Sequence, residues 1–126
     1  MTILNALHVA LLVSDLATAA QFYGEILGLP TADRPLSFPG QWYQVGSFQI
    51  HLMVAEQWQA PCPRPDKWGR NPHLALAVDD LEGIKARLLA AGHSVQLSAS
   101  GRAALFTQDP DGNLIELSAM PVVETV

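Results

Sequence analysis

Residues 8–16 read HVALLVSDL, and residues 73–81 read HLALAVDDL. Each opens on a histidine, runs through small and branched apolar residues, and places an aspartate seven and a leucine eight positions on. Either stretch alone reads as a buried strand feeding a helix, with Asp15 or Asp80 at the N-cap. Sixty-five residues apart, the two together read as an internal repeat, which dictates how the rest of the chain divides.

Working outward from the first copy, residues 3–13 form the expected strand. Leu16, Ala19, Ala20, Tyr23 and Ile26 or Leu27 then share one helical face until Gly28 stops the run. After a segment broken by Pro30, Pro35 and Pro39 come WYQV and FQIHLMV, joined by a turn at Gly46-Ser47 as a hairpin. Around the second copy, LEGIKARLLAAG is an amphipathic helix closed by Gly92, with Asp79, Asp80 and Glu82 at its cap and first turn. Strands follow near 94–98 and 102–108, then the turn DPDG and a last strand NLIELSAM. Residues 57–71, rich in proline, read as a linker or a loop over a pocket. The expected layout is one α+β domain over 1–126, with βαβββ modules at 1–56 and 72–120 sharing a cupped mixed sheet.

The repeat also pairs chemistry. His8 maps onto His73, and the same offset carries His51 onto Glu116, with Ile50 and Leu52 falling on Ile115 and Leu117. Alternation along a strand sets His8 with Ala10 and Leu12, and His73 with Ala75 and Ala77, opposite the bulkier aliphatics. His51 lies with Gln49 and Met53, and Glu116 with Leu114 and Ser118. Four candidate metal ligands thus sit on the smaller or more polar faces of four strands. A lone histidine in a strand is more often a satisfied core residue; four related by one offset argue for a site.

Three imidazoles and one carboxylate suit a borderline divalent ion (Zn, Ni, Co, Fe or Mn) and do not suit Ca²⁺. Bound by all four, an octahedral ion keeps two open positions that a substrate with adjacent oxygens can chelate, the ion acting as a Lewis acid. Glu116, the single carboxylate of the set, is the candidate to move a proton. His8, His73 and Glu116 alone would make the two-histidine, one-carboxylate arrangement of non-haem Fe(II).

Composition narrows the partners. Nearly half the residues, 49%, are hydrophobic and 15% are charged, as in a compact globular protein. A net charge of −5 argues against nucleic acid as a partner. The single cysteine, Cys62, excludes an intrachain disulfide and fits a reducing compartment. The opening MTILNALHVALLV lacks a basic flank and its apolar run stops at Ser14-Asp15, so a signal peptide, a membrane span and membrane partnership are not expected. The expected location is cytoplasmic.

The stretch HVALLVSDLATAAQFYGEILGL and the closing DPDGNLIEL resemble the vicinal oxygen chelate superfamily of glyoxalase I, extradiol dioxygenases, and fosfomycin and bleomycin resistance proteins. The resemblance covers essentially the whole chain. It implies paired βαβββ modules around a metal, often in a homodimer, with His8, His51, His73 and Glu116 at the four ligand positions. It also marks departures. Glyoxalase I usually has glutamate where His51 stands, and its two glutathione anchors are replaced here by Leu12 and Ala55. The acid–base histidine of extradiol dioxygenases has no counterpart in Leu97-Ser98-Ala99, and Phe106 replaces their tyrosine. Fosfomycin-resistance enzymes usually have no ligand at the His51 position, and bleomycin-binding members lack the ligands altogether.

The reading expected is a metal-dependent, glyoxalase-like enzyme doing proton-transfer, lyase or isomerase chemistry on a small substrate with vicinal oxygens. The alternatives are an Fe(II) extradiol-type dioxygenase and a non-catalytic metal-dependent binding protein. Trp42, Met53, Arg34 and Arg102 are the candidate substrate contacts, and His93 is expected at the surface.

Overall fold

The computed structural model describes residues 1–120. They fall into two compact units, Met1–Ala60 and a second that begins at Pro61. The first contains β1 (His8–Val13), helix α1 (Leu16–Ala20), a π-helical continuation over Gln21–Ile26, then β2 (Thr31–Ala32), β3 (Gly40–Val45) and β4 (Phe48–Val54). The second contains a 3₁₀ turn at Trp68–Arg70, β5 (Leu74–Val78), helix α2 (Leu81–Ala90), β6 (Val95–Leu97), β7 (Ala104–Gln108) and β8 (Leu114–Ala119). Each unit therefore has one mixed four-stranded sheet, ordered β1-β4-β3-β2 in the first and β5-β8-β7-β6 in the second. The first strand runs parallel to the last, which requires a crossover, and the helix supplies it.

The register reproduces the repeat. Ala10 lies opposite His51 and Ala75 opposite Glu116, while Val9 faces Ile50 and Leu74 faces Ile115. Every one of these pairs is carried onto its counterpart by the sixty-five-residue offset.

Burial follows the alternation. Ile50, Leu52, Ile115 and Leu117 are at most 1% exposed, whereas Gln49, His51 and Met53 between them stay half-buried. Each such aliphatic side chain stabilises the fold by roughly 1.5–3 kcal/mol. Both helices start as their aspartates dictate. The Asp15 carboxylate accepts from the Thr18 amide at 3.0 Å, and the Asp80 carboxylate from the Gly83 amide at 2.9 Å. Gly28, Gly92 and Gly112 close the two helices and the DPDG turn with positive φ of 72°, 85° and 85°, where a side chain would be strained.

Four details differ from the sequence expectation. β1 begins at His8, not residue 3, because its partner β4 begins at Phe48, and Ile3 and Leu4 before it are exposed. Phe22 joins Ala19 and Tyr23 in the core, since the wide π turn rotates the helix face away from 3.6-residue spacing. His93 is half-buried just past α2. The proline-rich stretch from Pro61 folds onto its own unit. Its hub is buried Asn71, whose side chain accepts from the Arg64 amide at 2.8 Å and donates to the carbonyls of Arg64, Lys67 and Trp68. Gln96 of β6 accepts from the Trp68 amide at 2.8 Å. No helix among the described residues is long and apolar enough to cross a membrane.

Candidate metal centre

In the second unit, β8 and the residue preceding β5 bring together His73 and Glu116. Imidazole Nε2 lies 3.2 Å from carboxylate Oε1, with the Glu116 side chain 9% exposed. The other ring nitrogen, Nδ1, is 2.7 Å from the backbone carbonyl of Asn71. A carbonyl only accepts, so Nδ1 carries a proton and donates it. Nε2 faces the carboxylate at 3.2 Å, as a lone pair in the neutral ring and as a second N–H donor to Oε1 in the protonated one. A histidine fixed through Nδ1–H···O=C, with its Nε2 turned toward a carboxylate, has the usual posture of an imidazole metal ligand.

The far oxygen of Glu116 is also committed. Oε2 accepts from Ser118 Oγ at 2.7 Å, and Arg102 Nη2 lies 3.7 Å away. Arg102 itself is 60% exposed, so its pull on the carboxylate is damped by solvent. Phe106, opposite Glu116 on β7, stands edge-on to the His73 ring with centroids 5.3 Å apart. Arg102 and Phe106 also line an open groove of about 430 Å³ with Asp66, Lys67, Arg70 and Ser100.

The first unit places His8, His51 and Trp42 in one stack. The His8 and His51 rings lie 4.0 Å apart and 14° from parallel, and Trp42 covers the other face of His51 at 3.9 Å and 3°. His51 Nε2 is 2.8 Å from Gln49 Oε1. Burial, helped by the neighbouring His8 and Arg34 charges, pushes the His51 pKa below the ordinary 6.5, which keeps the ring neutral at pH 7. Within neither unit do three or more His, Cys, Asp or Glu side chains gather to hold an ion among the described residues. Each unit instead carries one pair, His8 with His51 and His73 with Glu116.

Of the remaining candidates, Met53 is half-buried opposite Gly40. Arg34 stacks on Phe38 with its Cζ 4.6 Å from the ring centroid and donates through Nη1 to the Leu36 carbonyl. Its Nε and Nη2 are buried without a partner. Asn71, Ser118, Gln44 and Gln49 escaped sequence reasoning as functional parts. Alternation had set Gln49 and Ser118 on the ligand faces, but their hydrogen bonds depend on side-chain directions that spacing does not reveal.

Two βαβββ units, each bringing together a pair of candidate ligands at corresponding positions, define a class of repeat-built α+β proteins. The chain belongs to the Glyoxalase/Bleomycin resistance protein/Dioxygenase superfamily, whose family model matches residues 5–117. It is 31% identical over 113 residues to glutathione transferase FosA of Serratia marcescens, covering 87% of this chain and 77% of that protein. It is 26% identical over 118 residues to virulence protein STM3117 of Salmonella typhimurium, covering 88% and 81%. Among solved structures, a glyoxalase family protein of Bacillus anthracis matches with a TM-score of 0.77 at 25% identity, covering 96% of this chain and 98% of that one. The fosfomycin resistance protein FosX of Listeria monocytogenes, complexed with Mn(II) and 1S,2S-dihydroxypropylphosphonic acid, has a TM-score of 0.75 at 18% identity, covering 96% and 95%. FosX shares the fold.

Proposed function

We propose that this chain is a divalent-metal-dependent, glyoxalase-like enzyme that moves a proton on a small substrate held through vicinal oxygens. The observation that carries this reading is His73 Nε2 turned toward the buried Glu116 carboxylate at 3.2 Å, with Nδ1 already committed to the Asn71 carbonyl. His73 and Glu116 supply two ligands, and a His8 imidazole is the candidate for a third. When bound, the ion supplies Lewis acidity toward a developing oxyanion. One neighbour of the same fold supports the reading, a FosX mutant solved with Mn(II).

Glu116 is the proton carrier. Ser118 holds Oε2, with Arg102 close by, so Oε1 is the oxygen that would accept a proton from the substrate. Arg102, with Lys67 and Arg70 in the adjoining groove, is placed to receive an anionic substrate group. Trp42 is tied up in its stack. Leu12 and Ala55 leave the glutathione anchors of glyoxalase I unfilled, which favours a reaction independent of that thiol.

A three-ligand set of two histidines and one carboxylate also supports a second reading, extradiol-type oxygenation at Fe(II). Metal analysis combined with assays decides between them. The panel is methylglyoxal hemithioacetal, fosfomycin with and without glutathione, and catechol in air. Anomalous scattering is expected to place one ion on His73 and Glu116. An ion bound elsewhere, or wild-type affinity in Glu116→Gln, sinks both readings; iron with catechol cleavage sinks the first.

A further inference from the structure

We infer that His51 is a positioning residue, the middle plate of a Trp42–His51–His8 stack that sets the plane of the His8 ring, in place of the fourth ligand that its strand position suggests. The inference rests on the ion proposed above only for what His8 is oriented toward.

The first ground is planarity. An imidazole binds an ion along the in-plane lone pair of a ring nitrogen, at about 2.0–2.1 Å for zinc. The His8 and His51 planes are only 14° from parallel at a 4.0 Å centroid spacing. An ion in the plane of one ring is therefore nearly a ring spacing out of the plane of the other. The two rings cannot serve one ion while stacked.

The second ground is a relay of amides that fixes which His51 nitrogen carries the proton. Gln44 Nε2 lies 2.7 Å from the Gly46 carbonyl and 3.3 Å from the Phe48 carbonyl. Both carbonyls only accept, so the Gln44 amide has one orientation and presents Oε1 to Gln49 Nε2 at 2.8 Å. Gln49 must then turn its own Oε1 toward His51, and His51 Nε2 must donate to it. The nitrogen at the tip of the ring is thereby closed to a metal.

The third ground is support from behind. Trp42 is the cross-strand partner of His51 and lies 3° from its plane, so the plate is backed by a larger rigid one. Opposite His51 on β1 stands Ala10, a bare methyl, which leaves the exposed face of the plate to the His8 ring.

The test is Mn²⁺ titration of the whole chain as wild type, His51→Phe and His51→Ala, with NMR of the metal-free protein. Phenylalanine keeps a flat ring and has no nitrogen to offer. Affinity in His51→Phe is expected within about threefold of wild type, against a loss of about 10–100-fold in His51→Ala, the usual effect of removing a ligand's support. The ring-proton shifts of His8 should stay upfield with phenylalanine and relax with alanine. Equal losses in both variants make His51 a ligand and overturn the inference; so does wild-type affinity in His51→Ala. On the unmodified metal-free chain, ¹⁵N–¹H correlations should show His51 protonated at Nε2, and a bare Nε2 overturns the inference whether or not either variant folds. If the wild type takes up no Mn²⁺, the proposed function fails, while the NMR measurements still decide the stack.

Discussion

The two halves of this molecule share a backbone register and differ in chemistry. Ala10 faces His51 as Ala75 faces Glu116, and an aromatic residue stands across the next strand in both, Trp42 and Phe106. In the first half the aromatic lies flat on the strand residue and makes a neutral stack. In the second it stands edge-on to the histidine, and the strand residue is a carboxylate pinned by a serine and an arginine. Duplication of a module conserves positions; one changed side chain, histidine for glutamate, redirects what its neighbours do.

The comparison is broken most severely if the two cores prove unequal. Leu52 and Leu117 occupy corresponding core positions and are 0% and 1% exposed. Leu52→Ala and Leu117→Ala should each cost about 2–5 kcal/mol by denaturant unfolding. A cost under ~1 kcal/mol in either would show that its half is not a packed core.

Next in size is Glu116→Gln. Removing a ligand should lower metal affinity by more than the ~10–100-fold typical of supporting residues, read by Mn²⁺ titration. The metal-free protein should keep most of its stability, because the glutamine carbonyl can still accept from Ser118 Oγ while its amide nitrogen can donate to Nε2 of a neutral His73 ring. A metal-free variant that melts well below wild type would mean that the carboxylate is there for structure.

The helix caps offer a matched pair of smaller effects. Asp15→Ala and Asp80→Ala each remove one side-chain acceptor from a first turn and should cost about 1 kcal/mol. The smallest effect expected is with pH. His51 has a folded pKa below its unfolded 6.5, so the unfolded chain binds the proton more readily. Stability from this group is complete above pH 6.5 and is lost as the pH falls through and below that value. Thermal melts of metal-free protein should show that decline, reduced in His51→Phe.

Much of this was legible in the sequence, for a specific reason. Strand alternation and a fixed offset are one-dimensional properties, so Ile50 and Leu52, and their counterparts Ile115 and Leu117, identify themselves, and the two histidine-led strands follow. The caps at Asp15 and Asp80 are equally local. Illegible were features set by direction across strands. Trp42 meets His51 only because β3 and β4 pair in that register, and the posture of Gln49 depends on Gln44, itself held by two carbonyls. The π-helical stretch hid Phe22 from a 3.6-residue count, and the packing of residues 61–71 onto their own unit depends on Asn71 and Gln96, neither of which belongs to a recognisable pattern.

Asn71 carries a consequence for how the protein ages. Asparagines decay when the nitrogen of the following peptide attacks the side-chain amide, and here the following residue is Pro72, whose nitrogen bears no hydrogen. The amide that ties the turn together, on the residue whose carbonyl aligns His73, is therefore shielded from that route of spontaneous damage. Its geometry should outlast that of an asparagine followed by glycine or serine through long storage or repeated heating.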